Sequence, residues 1–312
     1  MIISASRRTD IPSYYSDWFL NRVHEGYLCV RNPMNAHQMS RVSLDPAVVD
    51  CIVFWTKNPE PMLARLPELS AYCYYFQATL TGYGHDVERG LPDKHEVLLP
   101  AIKRLSDLIG PERVIWRYDP ILFNERYTPE YHLRAVRSIA EELEGRTKKC
   151  VISFVDTYAK NRRNMERLQA HELPRAELED FAGELADIAR GHGMAVGSCA
   201  EKIDLSACGI EHNACIDGAL IARLLGADLK VRKDPSQRIE CGCMASVEVG
   251  TYNTCRHGCV YCYANYSPEA VRRACAAYDP DSPILCGNIG RDDVVTDRKM
   301  FSLIEPQRSL GL

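Results

Sequence analysis

Six short apolar runs recur along the first two thirds of the chain, with helix-period segments between them. This alternation restricts the fold more than any other feature. The runs are residues 1–6 (MIISAS), 49–55 (VDCIVFW), 72–80 (YCYYFQATL), 113–118 (RVIWRY), 149–155 (KCVISFV) and 194–198 (MAVGS). Several are nearly continuous in apolar content, as expected of parallel strands covered on both faces. Helical spacing is read over 14–25, 59–66, 94–109, 129–144 and 174–190. In 129–144, Leu133, Val136, Ala140 and Leu143 share one face, and Pro129 and Gly145 mark the ends. Strand and helix alternating in series predict an α/β fold, a partial parallel (β/α)6 TIM-like barrel over residues 1–198. An open doubly wound sheet is the competing arrangement. No G-x-G-x-x-G or G-x-x-x-x-G-K-S/T loop follows a strand, so nucleotide binding of those kinds lacks support.

The pattern changes at Cys199. Residues 217–225 and 268–278 keep helical spacing, but the stretch between them is rich in Cys, Gly and Asn. Residues 199–312 are therefore read as a cysteine-rich, metal-cluster-binding extension packed on the barrel rim. Of 14 cysteines in the 312 residues, ten lie from Cys199 to Cys286. No apolar run approaches the ~18 residues that cross a bilayer. Arg7, Arg8, Asp10 and Asp17 interrupt the start, as no export signal would allow. The expectation is a cytoplasmic protein away from the membrane, where clustered thiols bind metal more often than they pair. A net charge of −4 argues against a broadly basic nucleic-acid surface. The basic segments 146–149 and 160–163 have little aromatic interleaving.

In a parallel barrel the loops after the strands form one reactive rim. The strand ends and loops there carry Arg7, Lys57 and Arg117, cations suited to a carboxylate or phosphate. Asp10, Asp119 and Asp156 stand beside them. The plainer reading is that these arginines and aspartates pair with one another and tie loops together.

The sharpest motif is TCRHGCVYCYAN at 254–265, which spaces Cys255, Cys259 and Cys262 as C-x3-C-x2-C. Three thiolates on one tight loop can hold three irons of a 4Fe–4S cubane and leave the fourth open. Zinc is the alternative, with His257 or Cys241 as fourth ligand. The loop resembles that of the radical S-adenosylmethionine (SAM) enzymes, C-x3-C-x-aromatic-C, with Tyr261 at the aromatic position. That resemblance implies a 4Fe–4S cluster whose open iron binds SAM and whose electron cleaves it to a 5′-deoxyadenosyl radical. It also implies a flavodoxin- or ferredoxin-type donor, while the modest net charge and the lack of an exposed amphipathic helix favour a small-molecule or peptide substrate. Tyr261, Tyr263, Asn265, Arg7 and Lys57 would then contact the cofactors. Arg7, Asp10, Lys57, Arg117, Asp119 and Asp156 would act on SAM or substrate.

In those enzymes the loop follows the first strand, whereas here it comes after the sixth. A permuted layout is implied, with the C-terminal segment folded back over the rim. The wider set SRRTDIP (6–12), FWTKNP (54–59), WRYDPI (116–121) and YNTCRHGCVYCYAN (252–265) resembles a bacterial domain-of-unknown-function family along nearly the whole chain.

A second thiol group comprises Cys199, Cys215, Cys241 and Cys243, which could hold a second iron–sulfur cluster or zinc, with Glu201, Asp204 and His212 as spare zinc ligands. Buried thiols acting as small hydrophobes are the other reading. Three function classes stay open: a radical SAM-type enzyme, an iron–sulfur- or zinc-stabilised binding or electron-transfer protein without radical chemistry, and, less favoured, a zinc-containing nucleic-acid-binding or repair protein.

Overall fold

The computed structural model describes residues 1–230 and 232–305. Strand β1 (Ile2–Ala5) leads into α1 (Ile11–Tyr14) and α2 (Ser16–Glu25). The Asp10 carboxylate caps α1 by accepting the Ser13 N–H at 3.0 Å. A hairpin of β2 (Tyr27–Asn32) and β3 (Asn35–Ser43) follows, then β4 (Cys51–Thr56), α3 (Glu60–Leu63), β5 (Tyr74–Thr79) and α4 (Leu99–Ile109). The next elements are β6 (Val114–Ile121), α5 (Pro129–Glu142), β7 (Lys149–Phe154), α6 (Arg162–Arg167), α7 (Arg175–Gly191) and β8 (Ala195–Cys199). Last come β9 (Glu211–Asn213), α8 (Gly218–Leu225), β10 (Val247–Glu248), α9 (Pro268–Ala276) and β11 (Val294–Asp297).

The main sheet has eight strands in the order β10-β1-β4-β5-β6-β7-β8-β9. Every neighbouring pair in it is parallel. The six strands expected from the apolar runs occupy the six central places. Both edge strands come from beyond Cys199. They are two and three residues long, too short to register as periodic runs. A small second sheet, β11-β3-β2, was likewise not expected from the sequence.

Side chains alternate between two buried faces. Ile2, Val53, Tyr75, Ile115 and Val151 point to one, where Ile216, Leu220 and Ile221 of the α8 region cover them together with Cys215, Cys241 and Cys243. Ile3, Phe54, Phe76, Trp116 and Ile152 point to the other, against Trp18, Phe19, Ile102, Leu105, Val136 and Phe181 from the flanking helices. Covering on both faces is why the strands read as continuous apolar runs. Truncating a large buried aromatic such as Trp116 costs about 3–5 kcal/mol. Parallel pairing brings the C-terminal ends of the strands to one end of the sheet, where the polar loop residues collect. No described helix is long and apolar enough to cross a membrane.

Candidate metal and substrate site

A cavity of about 460 Å³ opens at that end. Arg7 after β1, Lys57 after β4, Arg117 and Asp119 of β6 and Asp156 after β7 line it. Tyr261, Cys262 and Tyr263 contribute to the same lining, as do Cys199, Cys215 and Cys241. Five of the six rim residues expected to act on SAM or substrate thus meet one space, together with members of both thiol groups.

The 255–262 loop is fastened from several directions. The Val260 N–H donates to the Val87 carbonyl at 2.8 Å and the Gly90 N–H to the His257 carbonyl at 2.7 Å. Gly90 is required by this approach: a β-carbon there would lie 2.8 Å from the Arg256 oxygen and 2.9 Å from that of His257. Asn161 and Asn164 donate to the carbonyls of Tyr261 and Val260 at 3.2 and 2.9 Å. Asn265 donates to the Cys255 carbonyl at 2.8 Å, while its Oδ1 is buried without a partner among the described residues. Asn265 is thus a brace of the loop and is absent from the cavity lining.

Asp10 does not face the cavity as expected. Its Oδ2 accepts the Lys57 N–H at 2.7 Å and sits 2.7 Å from His257 Nε2. The Tyr14 hydroxyl lies 2.9 Å from the other ring nitrogen. A neutral imidazole that donates to Asp10 and accepts from Tyr14 satisfies both contacts. Capping α1 turns the Asp10 carboxylate inward, which holds the loop from behind. His257, considered as a zinc ligand, is committed to this anchor.

Backbone N–H groups point at the sulfurs: that of His257 at Cys255, and those of Ala264 and Asn265 at Cys262. Burial still pushes all three thiols up, Cys259 to about 12 against the pull of Lys57. At neutral pH they keep their protons until a cation replaces them. Among the described residues, no three His, Cys, Asp or Glu side chains converge at the spacing of a single bound ion.

Each rim cation is already paired. The Arg7 side chain lies 3.6 Å from Glu248, and Arg117 donates to Asp119 at 3.0 Å. Lys57 donates to Glu88 at 2.7 Å. Glu88 is 1% exposed and also takes the Tyr261 hydroxyl at 2.5 Å, Thr81 at 3.0 Å and Lys94. Burial alone would raise Glu88, but Lys57 and Lys94 outweigh it and hold the carboxyl at about 2. The same carboxylate therefore fixes both Lys57 and the aromatic residue of the thiol loop. The chain has 42 acidic residues and nothing in its spacing singles out Glu88. Glu248 was missed for a similar reason: it acquires its role by lying on β10 beside β1, where it also accepts from Ser4 at 2.7 Å.

Across the cavity, Cys199 and Cys215 place their sulfurs 3.2 Å apart. Cys215 also contacts Cys243, and Cys243 contacts Cys241. The four residues grouped from sequence are contiguous in space. Glu201 lines the cavity near them, accepts the Phe154 N–H at 2.8 Å, and is raised by burial to about 7. Asp204 instead caps the turn at Ser206.

The family model of a domain of unknown function (DUF1848) matches residues 2–264, a span that runs from β1 through both thiol groups. No curated protein matches the chain.

Proposed function

The chain belongs to the DUF1848 family, whose name assigns no activity, and from the site itself we propose that it is a radical SAM-type enzyme acting on a small molecule or peptide. One observation carries this reading: two thiols of one braced loop, Cys255 and Cys262, meet backbone N–H donors, Cys262 lines the cavity, and His257 is held away by Asp10. Each thiol of a cubane ligates a different iron, so its ligands stand wider apart than those of one ion. The donor set fits such a cluster, with Cys255, Cys259 and Cys262 holding it and one iron left open. When bound and reduced, the cluster would supply one electron to the sulfonium of SAM.

The chain's own residues define the rest. Tyr261 is locked onto Glu88 and lines the cavity. Tyr263 donates to the Arg7 carbonyl at 2.7 Å and walls the cavity. Arg7, Lys57 and Arg117 are neutralised by their partners, so they contribute directed N–H donors rather than net charge. Asp119, Asp156 and the raised carboxyl of Glu201 offer acceptors, and below about pH 7 Glu201 offers a donor. The finer fold reading is a curled (β/α)6 sheet, supported by strand ends from β1 to β8 reaching one cavity. The late position of the loop is supported as a permutation, because β10, which leads into it, pairs outside β1.

The test is anaerobic incubation of the iron-loaded protein with dithionite and SAM, following 5′-deoxyadenosine. Formation that disappears in Cys259→Ser is expected. An intact cluster that yields none would favour the electron-transfer alternative.

A further inference from the structure

We propose that Cys199, Cys215, Cys241 and Cys243 form a second thiolate metal centre on the same cavity, independent of the radical reading. Four sulfurs is the full complement of a closed thiolate site, whether zinc or an iron–sulfur cluster. They come from three separate places: the end of β8, the turn after β9, and the loop before β10. Such convergence is not produced by local spacing.

Cys215 and Cys243 pack within the apolar cluster on this face of the sheet, yet each also meets a directed donor. Arg117 Nη1 donates to Cys215 Sγ at 2.8 Å, and Asn213 Nδ2 lies 3.7 Å from the same sulfur. The Ile216 N–H donates to Cys243 Sγ at 3.4 Å. Directed donors, one of them a guanidinium, are what a metal-bound sulfur requires from its surroundings. The backbone is pinned as well, since the Cys215 carbonyl accepts Tyr75 at 2.6 Å and Gln77 at 2.9 Å.

The sulfurs run as a chain of contacts and do not close on one point. A tetrahedral ion with Zn–S of about 2.3 Å would set neighbouring sulfurs roughly 3.8 Å apart. The 3.2 Å contact of Cys199 with Cys215 is shorter than that edge, so loading requires these two sulfurs to part slightly and all four to close on one point. Cys199, Cys215 and Cys241 open onto the cavity, which supplies the entry path. The shared chemistry is a thiophilic metal, and the experiment separates the two forms.

In the full chain carrying Cys255→Ser, Cys259→Ser and Cys262→Ser, the thiols left on the cavity are those of the second group. One arm adds Co²⁺ alone; the other adds Fe²⁺ with sulfide under anaerobic conditions. A single equivalent of cobalt with tetrathiolate charge-transfer bands assigns a zinc-type ion. Iron with acid-labile sulfide assigns a cluster. Either supports the centre, and uptake in neither arm, with all four thiols alkylated equally with and without metal, overturns it. Should the triple variant fail to fold, Cys215→Ser/Cys243→Ser in the otherwise intact chain replaces it. Its metal content should fall to that of one 4Fe–4S cluster, whereas parity with the unaltered protein would overturn the proposal. If the 255–262 loop holds no cluster yet the triple variant binds metal, the radical reading fails and this one stands.

Discussion

Cys255, Cys259 and Cys262 sit on one short loop, whereas Cys199, Cys215, Cys241 and Cys243 are carried together by β8, β9 and the segment before β10. The loop is held by contacts outside itself: Asp10 through His257, Glu88 through Tyr261, and Gly90 through close backbone approach. The four-thiol group is held by the sheet's interior, with Arg117, Gln77 and Tyr75 reaching Cys215 from central strands. Local spacing can therefore announce a site without securing it, while the other site is secured by the fold and announced only by a count. Disturbing the anchors should loosen the loop and leave the four-thiol group in place.

The largest effect is expected for Glu88→Ala. It strands Lys57 and Lys94 as unpaired, mostly buried cations, which costs about 3–5 kcal/mol. Denaturant unfolding should report that loss, with iron released from the loop. A change below about 1 kcal/mol would remove Glu88 from the account. Asp10→Asn weakens the hydrogen bonds that link α1, Lys57 and His257, a loss of about 1.5–3 kcal/mol. Differential alkylation should show faster labelling of Cys255, Cys259 and Cys262 only. Equal acceleration of Cys199 and Cys215 would break the separation of the two sites.

Gly90→Ala forces a methyl against two backbone carbonyls, for about 1–3 kcal/mol. Its signature is poorer iron retention on the loop with the far wall unchanged. The smallest effect concerns Glu201, raised from the ordinary 4.5 to about 7. The folded chain there holds a proton that the unfolded chain releases, so stability falls as pH rises from about 4.5 to 7. Glu201→Gln should lose that decline, a gain of about 1–2 kcal/mol at pH 8 that vanishes near pH 4.5. Glu88 runs the other way: its contribution is complete above its ordinary pKa of 4.5 and is lost as pH falls toward 2. A gain for Glu201→Gln confined to acid would contradict the assignment.

The six central strands were legible because both faces are buried and the pattern is continuous. The edge strands β9 and β10 were not, because pairing with a finished neighbour, and not periodicity, makes them strands. The thiol loop was legible from spacing, and the rim residues that share its cavity from their places at or after strand ends. The role of Asp10 was misread: the sequence puts it on the rim, but capping α1 turns its carboxylate inward. Glu88 was invisible, since its significance comes from Lys57, Lys94 and Tyr261 arriving from elsewhere.

The central claim is that the 255–262 thiols hold an iron cube with one corner free. Electron paramagnetic resonance of the reduced, iron-loaded Cys215→Ser/Cys243→Ser protein, recorded with and without SAM, tests it most directly. The account predicts a 4Fe–4S signal that changes shape when SAM is added. A spectrum indifferent to SAM, or no such signal in protein that has taken up a single zinc at the loop, would contradict it.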